Sequence, residues 1–86
     1  MNDIKILIVE DDPLMSNIIK QQLLNYGYFV FDPVDNGSEA ITLSKALKPD
    51  LILMDVILNG PMTGIEAAQK ISETSSVPII YLTAYS

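Results

Sequence analysis

The chain has 86 residues, 11 of them acidic and 5 basic, so its formal net charge is −6. All five basic residues are Lys, and Cys, His and Trp are absent. This excludes a disulfide framework, thiol chemistry, the usual zinc sites and every His-based catalytic pair, and a pI near 4.1 argues against a nucleic-acid surface.

Read in order along the sequence, Ile4–Val9 is an apolar, β-branched run without alternation, the pattern of a strand buried on both faces. A helix follows, with Asp12 as N-cap and Pro13 in the first turn. Its apolar stripe is Leu14, Ile18, Leu23 and Tyr26, widened by Met15 and Ile19, and Gly27 ends it. Tyr28–Phe31 is the second predicted strand, and Pro33 behind it assigns this strand to a sheet edge. Ser38 is the predicted cap of a second helix carrying Ala40, Leu43 and Leu47, closed by Pro49. Leu51–Met54 is the third strand; Thr63 caps a third helix with Ile65, Ala68 and Ile71; Val77–Leu82 is the fourth strand.

Strands alternating with helices define an α/β domain with a parallel sheet and right-handed crossovers. With the second strand outside, the expected spatial order is 2-1-3-4. No apolar run approaches the roughly 18 residues of a membrane helix, and no basic region precedes an apolar stretch at the N-terminus. The reading is a cytoplasmic domain with no membrane and no direct nucleic-acid contact.

In such sheets ligands bind beyond the carboxyl ends of the strands, at the switch in strand order. The first strand runs into Glu10-Asp11-Asp12 and the third into Asp55, so remote segments bring carboxylates to one rim. Asp12 is accounted for as a helix cap. Asp55 ends an apolar strand and precedes Val56-Ile57-Leu58, where a carboxylate is costly without compensation. Clustered carboxylates favour a hard cation, and Mg²⁺ fits a site of few carboxylates plus a phosphate. A carboxylate beside Mg²⁺, with the Thr83 hydroxyl at the end of the fourth strand, suits covalent phosphoryl transfer to a carboxylate oxygen.

Four stretches together resemble the receiver domain of two-component response regulators, of the chemotaxis-regulator type. They are Ile6–Asp12, Asn36–Ala40, Pro49–Asp55 and Val77–Ala84. The resemblance extends over all 86 residues. It implies a flavodoxin-like open parallel sheet, with Asp55 as phosphoacceptor and Thr83 as switch hydroxyl. Glu10 and Asp11 are then the acidic pair, and Asp11, Asp55 and the Ile57 backbone carbonyl hold Mg²⁺. It also implies a sensor histidine kinase as partner and an output domain in the parent protein. On this reading the domain is a phosphoacceptor that assists only its own phosphoryl transfer and is not otherwise an enzyme.

Two departures stand out. The loop from Val56 to Gly64 is slightly longer than the family's common form. The sequence stops after the fourth strand, so the expectation is a domain spanning residues 1–86 that is truncated at its C-terminus. It would lack the family's last helix, strand and helix, with their phosphate-contacting Lys and switch aromatic. The open fourth-strand edge then implies a homo-oligomer. The alternatives are a Mg²⁺-dependent phosphohydrolase with an Asp nucleophile, disfavoured by Ile57 where that class places a second acid, and an inactive receiver-derived binding fragment.

Overall fold

The structure is a computed structural model that describes residues 3–82. Its elements are β1 (Lys5–Val9), α1 (Pro13–Asn25), β2 (Phe29–Val30), α2 (Gly37–Leu47), β3 (Leu51–Asp55), α3 (Gly64–Ser72) and β4 (Ile79–Leu82). The four strands form one parallel sheet in the order β2-β1-β3-β4. The 2-1-3-4 order expected from the alternating pattern, and the flavodoxin-like sheet implied by the resemblance, are therefore the ones observed.

Alternate side chains of β1 feed two separate cores, because successive residues of a strand point to opposite faces. Leu7 and Val9 join Ile52, Met54, Ala40, Ala67 and Ile71 beneath α2 and α3. Ile6 and Ile8 join Val30 on the other face, where Ile19 and Leu23 of α1 pack. This two-sided burial explains why the strands read as continuous apolar runs.

Three expectations need correction. The stripe on α1 faces the core only in part: Leu14 is 69% exposed and Tyr26 79% exposed, and Met15 and Ile18 are exposed too. The helix instead buries Ser16 and leans on Ile19 and Leu23. The reason is its placement over β1 and β2, with Lys20 on one flank in a 3.2 Å ion pair with the exposed Asp32. Leu14 and Ile18 lie on the opposite flank, beyond what those two strands can cover. Second, the cap of α2 is Asn36, not Ser38: Asn36 Oδ1 accepts the Glu39 N–H at 2.9 Å, and the helix starts at Gly37. Third, β2 and β4 are shorter than Tyr28–Phe31 and Val77–Leu82, and β3 extends one residue further, to Asp55.

The remaining helix signals act as expected. Asp12 Oδ1 accepts from the Leu14 and Met15 N–H groups at 3.0 and 3.4 Å. Gly27 follows the end of α1 with φ +91°, a left-handed conformation that glycine adopts without strain. Thr63 forms a reciprocal cap with Glu66 at the start of α3. Among the described residues no helix is long and apolar enough to cross a membrane.

Candidate functional site

The site begins with strand register. Val9 pairs with Met54 across β1 and β3, so the next residues, Glu10 and Asp55, emerge side by side at the carboxyl rim. Beyond Pro33 the backbone returns to β1: the Val34 N–H donates to Ile8 O at 3.0 Å and the Glu10 N–H donates to Val34 O at 2.9 Å. Glu10 is thus anchored by its own backbone and is only 8% exposed.

Carboxylate oxygens of Glu10, Asp11 and Asp55 lie within 4.8 Å of one another. Burial is the main cause that pushes the Glu10 carboxyl up, from 4.5 to about 7. The Asp12 N–H, donating to Glu10 Oε1 at 3.1 Å, opposes the rise. Contact with Asp55 and the charge of Asp11 add to it. Burial and the neighbouring carboxylates thus disfavour a charge on Glu10, a condition that a bound divalent metal would relieve. The donor set fits Mg²⁺: hard oxygen atoms, converging, in a half-open rim.

Asp55 is the last residue of β3, and its Oδ1 accepts the Ile57 N–H at 3.3 Å. Glycine at position 64 lets α3 start against this strand end. The Gly64 N–H donates to Val56 O at 2.7 Å, and a Cβ on Gly64 would collide with the Asp55 carbonyl oxygen and lie 3.1 Å from Met54 Cγ. Sequence alone assigns Gly64 no such role; its signal is a glycine at the first position of a helix, nine residues past Asp55. A cavity of about 310 Å³ adjoins the cluster, lined by Glu10, Asp11, Ser16, Val34, Asp35 and Glu39 among others.

The cations are elsewhere. Lys20 pairs with Asp32; Lys45 and Lys70 occupy the last turns of their helices; Lys48 caps α2; Lys5 opens β1. Among the described residues no salt bridge reaches the three carboxylates. The structure therefore brings together Glu10, Asp11 and Asp55, with Ile57 adjacent to Asp55, and uses Asp12 as a cap. Thr83 lies outside the described residues.

A parallel α/β sheet with converging carboxylates at its topological switch defines a class of phosphate- and metal-handling domains. Comparison with known proteins narrows it. The family model "Response regulator receiver domain" matches residues 6–86. The chain is 42% identical over 86 residues to the transcriptional regulatory protein YvrH of Bacillus subtilis, covering all of this chain and 36% of that protein. It is 39% identical over 80 residues to the DNA-binding response regulator MtrA of Mycolicibacterium smegmatis, covering 93% of this chain and 34% of that protein. The chain thus spans about a third of the length of these curated relatives.

Among solved structures, it is similar to the receiver domain of sensor histidine kinase PA1611 from Pseudomonas aeruginosa, with TM-score 0.88 and 34% identity over 98% of this chain and 70% of that one. That structure holds a magnesium ion in its active-site cleft. It is also similar to the signal receiver domain of a modulated diguanylate cyclase from Desulfovibrio desulfuricans, with TM-score 0.87 and 37% identity over 94% of this chain and 65% of that one. The chain belongs to the response regulator receiver domain family, and is homologous to phosphoacceptor domains of two-component systems.

Proposed function

We propose that this domain takes a phosphoryl group from the phosphohistidine of a sensor histidine kinase onto Asp55. The observation that carries the reading is the convergence of Glu10, Asp11 and Asp55 within 4.8 Å at the switch point of the sheet. An Asp55 carboxylate oxygen attacks phosphorus, the P–N bond to imidazole breaks, and the imidazole leaves with the bond's electron pair and takes up a proton. The product is an acyl phosphate.

Asp11, Asp55 and the Ile57 carbonyl are the residues that would hold Mg²⁺, with Glu10 behind them. The ion supplies charge neutralisation for the incoming phosphoryl oxygens. The clustered carboxyl groups of Glu10, Asp11 and Asp55 disfavour an anionic group unless the cation is bound. Thr83, which follows β4 directly, donates its hydroxyl to a phosphoryl oxygen. The domain catalyses nothing beyond its own phosphorylation and dephosphorylation. A hydrolase is disfavoured because Ile57, two residues past Asp55, offers no carboxylate for a general acid.

Residues 1–86 act as a receiver domain. Its relatives' names point to an output function in transcription, so an output domain in the parent protein is the downstream partner, in the cytoplasm. The outer edge of β4 pairs with no strand among the described residues, and Ile80, whose strand partner is Leu53, is 52% exposed on a face of the sheet. Such an edge invites pairing, and a second copy of the protein would cover it. Sedimentation at micromolar concentration tests this part; a monodisperse monomer would contradict it.

The phosphoacceptor reading is tested by incubating the protein with Mg²⁺ and a small phosphodonor and measuring its intact mass. One base-labile phosphoryl group is expected, absent in EDTA and absent in Asp55→Asn. Rapid phosphate release without an adduct would instead favour the hydrolase. Neither adduct nor release would leave an inactive binding fragment.

A further inference from the structure

The sequence holds two Asn-Gly pairs, Asn36-Gly37 and Asn59-Gly60, and the fold treats them in opposite ways. Asparagine is among the thermolabile side chains. Before glycine it is most exposed to attack by the following backbone nitrogen, because no Cβ shields that nitrogen.

Asn36 is immobilised at both ends of its amide. Its Oδ1 accepts the Glu39 N–H at 2.9 Å, and its Nδ2 donates to Asp35 Oδ1 at 2.9 Å. Gly37 is buried as the first residue of α2, with Met62 packed against it: a Cβ there would sit 2.9 Å from Met62 Sδ. Asn59 has none of this protection. Both Asn59 and Gly60 are exposed, Gly60 has φ +87°, and nothing lies within 4 Å of a Cβ built on it. Among the described residues no backbone hydrogen bond holds the Gly60 N–H. The ties of this loop are through the backbone: the Asn59 N–H donates to Asp35 O at 3.3 Å, and Asn59 bridges in parallel to Asn36. They fix the loop to the start of α2 and, among the described residues, leave the Asn59 side-chain amide and the Gly60 N–H without a hydrogen bond.

We propose that Asn59-Gly60 is a built-in site of spontaneous modification, converting to aspartyl and isoaspartyl forms while Asn36-Gly37 is spared. The Gly60 nitrogen, giving up its proton, forms a bond to Asn59 Cγ. The Cγ–Nδ2 bond breaks, and ammonia leaves with the transferred proton. Water then opens the resulting succinimide. Cleavage at the Cγ–N bond gives aspartate, and cleavage at the original backbone C–N bond gives isoaspartate with the backbone routed through Cγ. The net change is Asn plus water to a carboxylic acid plus ammonia, which takes the formal charge from −6 to −7. The isoaspartyl form also lengthens the loop that carries Ile57 and strains the 3.3 Å tie to Asp35. The new charge falls four residues past Asp55 and next to Asp35, which lines the same cavity as Glu10 and Asp11.

The experiment is ageing of the folded protein at mildly alkaline pH, followed by isoelectric focusing and by peptide mapping that reads both Asn-Gly pairs in one digest. Asn59 should convert at least about tenfold faster than Asn36, since two hydrogen bonds must break before Asn36 can react. In denaturant the two pairs should convert at similar rates, because the difference is made by the fold. Asn59→Gln should stop most of the charge gain. Equal rates in the folded protein, faster loss at Asn36, no conversion at Asn59, or an Asn59→Gln variant that acidifies as fast as wild type would each overturn the proposal.

Discussion

Replacing Glu10 by Gln should make the metal-free domain more stable at neutral pH, the reverse of what removing a buried charged partner usually does. Glu10 is 8% exposed and faces Asp55 and Asp11. Its carboxyl is raised from 4.5 to about 7, chiefly by burial. A group whose folded pKa lies above its unfolded value binds its proton more tightly when folded. The stability this confers is complete below about pH 4.5 and is lost as pH rises towards 7. At about 1.4 kcal/mol per pKa unit, the loss over that window is on the order of 3 kcal/mol. Gln keeps the shape and accepts the Asp12 N–H but carries no charge at any pH. The assay is denaturant unfolding of both proteins in EDTA across this range. The wild type should fall progressively below Glu10→Gln as pH rises, and Mg²⁺ should restore the wild type by binding only the folded state. Parallel pH profiles in EDTA, or divergence in the opposite sense, would refute the argument.

Asp12→Ala should cost about 1 kcal/mol by removing the cap of α1 yet leave Mg²⁺ affinity nearly unchanged, measured by unfolding and by calorimetry; a large loss of affinity would show Asp12 to be a ligand. Gly64→Ala should destabilise by about 1–3 kcal/mol through overpacking and shift the Asp55 backbone, lowering both melting temperature and the rate of phosphoryl uptake. Asn36→Ala should cost about 1 kcal/mol of stability, whereas Ser38→Ala should cost little, which separates the observed cap from the one expected by sequence.

The strand order and the site were legible because both depend on patterns that local chemistry cannot hide. Unbroken apolar runs required burial on two faces, Pro33 required an edge, and carboxylates directly after β1 and β3 had to meet once those strands were neighbours. The face of α1 was not legible. Leu14 and Ile18 have helical spacing, but which side of α1 meets the sheet depends on its packing over β1 and β2, where Ile19 and Leu23 reach the core, and periodicity does not encode that. The choice of Asn36 over Ser38 depended on packing against Gly37, where Met62 leaves no room for a side chain. The role of Gly64 was hidden for a related reason. A glycine at a helix start reads as neutral until the partner backbone, here the Asp55 carbonyl, is in view. The raised pKa of Glu10 likewise needs the distance between strands, not only their order.

The most direct test of the central claim is to locate the phosphoryl group chemically. The protein is treated with Mg²⁺ and a small phosphodonor, the acyl phosphate is reduced with borohydride, and the peptides are sequenced by mass. Conversion of Asp55 to homoserine, with Glu10, Asp11 and Asp12 unchanged, is the expected result. Reduction at one of those other carboxylates, or undiminished labelling in Asp55→Asn, would contradict the account.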